Sequence, residues 1–190
     1  MPADRKKTGS RIQLRHRLVG LTGTNGAGKG EVAAYLMKKG YAYVSLSDEI
    51  REELRRKGEP ITRDSLIATG NALRRRYGAD ILARRVMKKV RGRTVIDSIR
   101  NGREVAFLRR QKDFILVAVD APLELRYERT RKRGRAESAG SLEEFAAKEK
   151  MEMAGGTGEQ QVRLCLGLAD LTISNEGSLK DLHRQIEEPL

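Results

Sequence analysis

The spacing of apolar positions changes period along the chain so that strands alternate with helices. Leu18-Val19-Gly20-Leu21-Thr22 is a short apolar run ended by glycines, which predicts a strand buried on both faces. From Lys29 the spacing turns helical, with Val32, Ala33, Leu36 and Met37 on one face and Gly40 where a C-terminal glycine stop belongs. Residues 41–46 read as a second strand. Ser47-Asp48 then reads as the N-cap of a helix over 49–57, and Thr62-Arg63-Asp64 caps an amphipathic helix carrying Leu66, Ile67 and Leu73. A basic helix ends near Arg91. Residues 94–99, 114–119 and 171–174 read as three further strands, and 179–188 closes the chain as a helix.

Strands separated by helical stretches imply parallel crossovers, so the expected fold is α/β: a three-layer architecture around a mostly parallel five-stranded sheet. Ligands of such sheets sit at the C-terminal ends of the strands. Residues 1–17 read as a mobile basic tail and 18–190 as one domain. Within it, residues 134–158 are rich in Gly, Ala, Ser, Glu and Lys, with one short helical pattern from Leu142 to Met153, and read as a mobile excursion. Gly70 interrupts a helical pattern, which predicts a bend or a close approach of backbones.

Composition narrows the partners. A net charge of +13 over 190 residues calls for an anionic partner, while aromatic residues are only 4% and Trp is absent. Stacking platforms for single strands are thus scarce, and small phosphorylated ligands are favoured over nucleic acid. With no run of eighteen apolar residues and no leader pattern, the chain reads as soluble and cytoplasmic. The single cysteine, Cys165, lies among apolar neighbours and reads as core; His16 and His183 are isolated and form no metal-ligand cluster.

The chemistry is concentrated in Gly23-Thr24-Asn25-Gly26-Ala27-Gly28-Lys29-Gly30, which follows the first strand and opens the first helix. In that context a Gly-x4-Gly-Lys pattern is a phosphate-binding loop, or P-loop. Glycines let successive N–H groups curl toward phosphate oxygens, the helix N-terminus adds its dipole, and Lys29 reaches the β- and γ-phosphates of ATP. Gly30 stands where a Ser or Thr normally offers a hydroxyl to magnesium, and Glu31 follows it, so neither position after Lys29 carries a hydroxyl.

From Leu18 onward the chain resembles the nucleoside monophosphate kinases. The Gly-Lys-Gly of the loop is shared with adenylate kinases. Asp48-Glu49-Ile50-Arg51 is similar to the segment after their second strand, and Ile96-Asp97-Ser98-Ile99-Arg100 to their Asp-Gly-Phe-Pro-Arg without the proline. Glu128-Arg129-Thr130-Arg131-Lys132-Arg133 is similar to the helix that enters their lid. The resemblance implies a P-loop NTPase fold with acceptor-binding helices over about 47–92 and a lid over about 131–160, with ATP and Mg2+ as cofactors. It implies that Arg51 and Arg100 hold the acceptor phosphate beside Asp48, that Asp97 holds magnesium through water, and that Arg129 and Arg133 reach ATP. Arg74, on the helix interrupted by Gly70, is a further candidate for the acceptor pocket.

Two other resemblances leave the acceptor open. The closing Ala169-Asp170-Leu171-Thr172-Ile173-Ser174-Asn175 and the opening Gly20-Leu21-Thr22-Gly23 are similar to dephospho-CoA kinases. The chain is also similar to kinase-like domains joined to deoxycytidylate deaminases, although it has no Cys-x-x-Cys and no zinc-deaminase signature. The expected activity is phosphoryl transfer from ATP to a nucleoside or deoxynucleoside monophosphate. The alternatives are dephospho-CoA kinase and a nucleotide-binding sensor of weak activity, the last favoured by Glu31.

Overall fold

The computed structural model describes residues 16–134 and 140–187. The expected tail up to residue 15, residues 135–139 of the expected lid and residue 188 of the closing helix lie outside the described residues.

Five parallel strands form one sheet: β1 (Leu18–Thr22), β2 (Ala42–Ser45), β3 (Thr94–Asp97), β4 (Phe114–Asp120) and β5 (Leu171–Ser174), in the order β2-β3-β1-β4-β5. Every pairing is parallel, with Val19 opposite both Val95 and Ile115. The helices are α1 (Lys29–Lys38), α2 (Leu46–Lys57), α3 (Arg63–Tyr77), α4 (Ile81–Met87), α5 (Gly102–Leu108), α6 (Leu123–Lys132), α7 (Leu142–Met153), α8 (Val162–Gly167) and α9 (Leu179–Glu187).

Strand alternation sends side chains to two cores. Val19, Leu21, Val95, Val117 and Val119 pack with Val32 and Leu36 of α1 and with Leu182 and Ile186 of α9. Ile96 and Leu116 face the other way and pack with Leu46, Leu54, Leu73, Leu82 and Val105 of α2 to α5. Cys165 is fully buried in this second core, where burial pushes its thiol up to about 12.

Several boundaries differ from the sequence reading. Helix α2 starts at Leu46, because Ser45 is the N-cap and its Oγ accepts from the Ser47 amide; β2 ends one residue earlier than expected. Strand β3 ends at Asp97, since Ser98 takes a φ of 65° that cannot continue a strand. Helices α5 and α8 are too short for periodicity to reveal: Asn101 and Glu104 form a capping box at α5, and α8 is a six-residue helix beneath it.

Helix α7 lies within the stretch expected to be a mobile excursion and packs against the rest of the molecule. Phe145 is 1% exposed and Glu152 4% exposed, so this stretch is part of the packed body.

Candidate active site

Adjacent strands β1 and β3 send their following helices to opposite faces, α1 toward one core and α5 toward the other. The strand ends must then part, and a crevice opens between them. Two bonds hold its floor: Thr22 Oγ1 donates to the Ile99 carbonyl at 2.9 Å, and the Ile99 amide donates to the Leu21 carbonyl at 3.1 Å. A cavity of about 450 Å³ lies above.

The glycine loop forms one wall. Gly23 has φ 134°, and a Cβ there would lie 2.0 Å from the Val119 carbonyl oxygen; Gly28 has φ 103°, and a Cβ would lie 2.0 Å from Asn175 Nδ2. Any side chain at either place would break the loop. Asn175 Nδ2 instead donates to the Ala27 carbonyl at 2.8 Å, and Thr24 Oγ1 donates to Asp120 Oδ1 at 2.7 Å, so the ends of β4 and β5 support the loop from below. Lys29 Nζ folds back and donates to the Gly23 and Thr24 carbonyls at 3.0 and 2.7 Å. Withdrawal from water, assisted by the Arg100 guanidinium, lowers the Lys29 ammonium to about 8.

Gly30 lines the cavity, and a Cβ there would meet nothing within 4 Å. Its glycine is therefore not demanded by space. Glu31 is exposed on the first turn of α1 and does not line the cavity.

At the end of β3, Asp97 Oδ1 accepts from the Ser98 amide at 2.6 Å and Oδ2 accepts from the Tyr43 hydroxyl at 3.0 Å. Those bonds fix the carboxylate toward the cavity. Burial and the Asp97 charge together push the Tyr43 phenol well above its ordinary value, so it stays a donor. The donor set suits a nucleotide with its cation: loop amides and Lys29 for phosphates, and Asp97 as a carboxylate positioned for the metal's hydration shell.

Opposite the loop stand the arginines. Arg51 Nη1 donates to Ser47 Oγ at 2.5 Å and pairs with Asp48 at 3.3 Å; all three residues line the cavity. Arg100 Nη1 donates to Glu152 Oε2 at 2.6 Å and to Gln160 Oε1 at 3.1 Å. Arg74 also borders the cavity, but its guanidinium pairs with Glu104 at 2.9 Å, with side-chain exposures of 1% and 0%. Glu104 Oε2 also accepts the Arg100 amide, so one buried carboxylate links Arg74 to the backbone of Arg100.

Eleven sequence-predicted residues line the one cavity: Asn25, Gly26, Gly28, Lys29 and Gly30 from the loop, with Asp48, Arg51, Arg74, Asp97, Arg100 and Arg133. Gly23, Thr24 and Ala27 are loop residues that lie buried and do not line the cavity. Arg129 stays outside the lining, with its Nη1 buried and without a hydrogen-bond partner among the described residues.

Several residues escaped sequence reasoning. Arg126 is 4% exposed; it donates from Nε to the Ala121 carbonyl at 2.6 Å, from Nη1 to the Asn25 carbonyl of the loop at 3.4 Å, and from Nη2 to Glu149 of α7 at 3.0 Å. Arg63, Tyr43, Glu152 and Gln160 join it in or beside the cavity. Only Arg63 carried a signal, as the residue after a helix cap, and that signal names no ligand.

A parallel sheet in this order, with a glycine loop between β1 and α1 and a helical cover over the strand ends, defines a P-loop kinase-like α/β fold. Residues 19–152 match the family described as the AAA domain, to which the chain belongs. Its more particular membership is the UPF0200 family: it is 33% identical to the UPF0200 protein PH1008 of Pyrococcus horikoshii, over 88% of this chain and 92% of that protein. It is also 31% identical to a UPF0200/UPF0201 protein of Archaeoglobus fulgidus, over 93% of this chain but 56% of that protein, so the chain spans little more than half of that relative. Among solved structures, TT1252 from Thermus thermophilus is similar with a TM-score of 0.58 and 24% identity, covering 91% of this chain and 95% of that one. Shikimate kinase from Aquifex aeolicus is similar at 0.56 and 16%, covering 89% and 92%. No helix among the described residues is long and apolar enough to cross a membrane.

Proposed function

We propose that this protein is an ATP-dependent phosphotransferase whose acceptor is a small phosphorylated molecule, a nucleoside or deoxynucleoside monophosphate in the first place. The observation that carries this reading is that Lys29 of the phosphate loop and the guanidinium groups of Arg51 and Arg100 border one continuous cavity, with Asp97 beside them. A site that only sensed nucleotide would need the first wall and not the second.

Phosphoryl transfer asks for positioning and charge neutralisation more than for covalent chemistry. ATP supplies the transferred group. In this reading Lys29 turns from its loop carbonyls to the β- and γ-phosphates, and the loop amides hold the remaining oxygens. Asp97 would hold magnesium through water, and the cation would neutralise charge on the phosphates. Arg51 and Arg100 present planar forks to the acceptor, a geometry suited to a phosphate more than to a neutral hydroxyl. Arg133 lies at the cavity's mouth, where it adds positive charge.

The test is to incubate the protein with ATP and magnesium and, in turn, each common ribo- and deoxyribonucleoside monophosphate, dephospho-CoA, shikimate and gluconate, following ADP and identifying the product. We expect a monophosphate to stimulate turnover. Arg51→Ala and Arg100→Ala should each raise its KM about tenfold and leave ATP affinity nearly unchanged. Phosphorylation of dephospho-CoA, shikimate or gluconate alone would overturn the acceptor assignment, and stimulation by none of them would leave a nucleotide sensor.

A further inference from the structure

Arg63 is a buried cation that uses only part of its hydrogen-bonding capacity. It is 6% exposed, lines the cavity, and donates from Nε to Glu152 Oε1 at 2.7 Å. Its Nη1 and Nη2 are also buried, and neither has a hydrogen-bond partner among the described residues. Leaving charged donors unmet inside a protein is costly, so an orphaned guanidinium edge beside a cavity points to a missing acceptor.

The surroundings fix where that acceptor goes. The Arg63 guanidinium lies over the Phe145 ring, 5.1 Å from its centre. Glu152 bridges sideways: Oε1 takes Arg63 Nε at 2.7 Å and Oε2 takes Arg100 Nη1 at 2.6 Å. Two guanidinium groups that would repel each other are thereby held as a pair around one carboxylate. The row Arg63-Glu152-Arg100 keeps one surplus positive charge, with side-chain exposures of 7%, 4% and 20%. A purely structural bridge between α3 and α7 would leave no reason for both Nη atoms to stay unmet in a residue that lines the cavity.

We propose that Arg63 and Arg100, spaced by Glu152, form the subsite that binds the phosphate group of the acceptor, with Arg63 Nη1 and Nη2 as its principal donors. This rests on the reading of the cavity as a phosphotransferase site and deepens it by assigning a residue beyond Arg51 and Arg100. Glu152 belongs to α7, so the subsite is complete only when α7 is docked, and acceptor binding and docking of that helix favour each other.

The experiment fills the glycine loop first and then probes the second site. Protein saturated with magnesium and a nonhydrolysable ATP analogue is titrated with inorganic phosphate, and with acetate as a carboxylate control, by calorimetry and phosphorus NMR. The parent should bind phosphate more tightly than acetate. Arg63→Met should weaken phosphate about tenfold or more while leaving the affinity for the ATP analogue unchanged. Glu152→Gln should tighten phosphate several-fold, because it removes the negative charge that shares the two guanidinium groups; a merely structural bridge would give no change or a loss. Equal phosphate affinity in the parent and Arg63→Met, unchanged or weaker phosphate binding in Glu152→Gln, or tighter binding of acetate than phosphate would each overturn the proposal. Failure of the parent to bind the ATP analogue would count against the phosphotransferase reading itself, whereas analogue binding without phosphate binding would sink this subsite alone. If Arg63→Met does not fold, as judged by circular dichroism, the Glu152→Gln titration decides.

Discussion

At the scale of single residues, the Lys29 ammonium rests on two backbone carbonyls of its own loop. Lys29 sits at about 8 because burial and Arg100 both disfavour its charged form, and a bound triphosphate would reverse that balance. The sign follows from linkage: if the ligand prefers protonated Lys29, binding above pH 8 takes up a proton. Nucleotide affinity should therefore be level between about pH 7 and about pH 8, then fall by up to about tenfold per pH unit above it. Lys29→Arg should remain level across that range, since guanidinium stays charged. Calorimetric dissociation constants across pH check both, and a flat profile for the parent would remove Lys29 from the phosphate site.

Gly30 gives a second test at the same scale. The open space at its Cβ position and its place on the cavity wall mean that Gly30→Ser can restore the absent hydroxyl without displacing anything. It should raise the magnesium affinity of the nucleotide complex a few-fold and acceptor-stimulated turnover with it. Glu31→Thr should do neither, because Glu31 is exposed and away from the cavity. Titration of magnesium into the nucleotide complex of each variant separates the two positions.

At the scale of elements, α7 carries the arrangement. Phe145, Glu149 and Glu152 recur at helical spacing and form one face, which meets Arg63, Arg126 and Arg100. Phe145 also stacks at a tilt on Tyr127, ring centres 5.8 Å apart. The helix thus spans both walls: Glu149 reaches the arginine that braces the loop, and Glu152 the arginines of the opposite side. Phe145→Ala should remove about 3–5 kcal/mol of packing. Hydrogen exchange should then speed up over residues 142–153 while β1 and β4 keep their protection. Uniform loss of protection across the sheet would mean that α7 is part of the cooperative core and does not open by itself.

At the scale of the whole molecule, the sequence alone determined the elements that local chemistry specifies. Apolar runs such as 114–119 read as strands, and the glycine loop between strand and helix declares an anion site, because both signals reside in consecutive residues. Arg51 and Arg100 were marked in the sequence by the resemblance to nucleoside monophosphate kinases, and both line the cavity. The tertiary structure alone decided how the charges pair. Arg63 and Glu152 stand 89 residues apart and Arg74 and Glu104 30 apart, and in sequence each looks like a solvated charge. Net charge also hid them, since a surplus of +13 gives no sign of which carboxylates are buried. Desolvation and geometry choose the partners of a buried ion, and both depend on the packing of α3, α5 and α7 around the crevice.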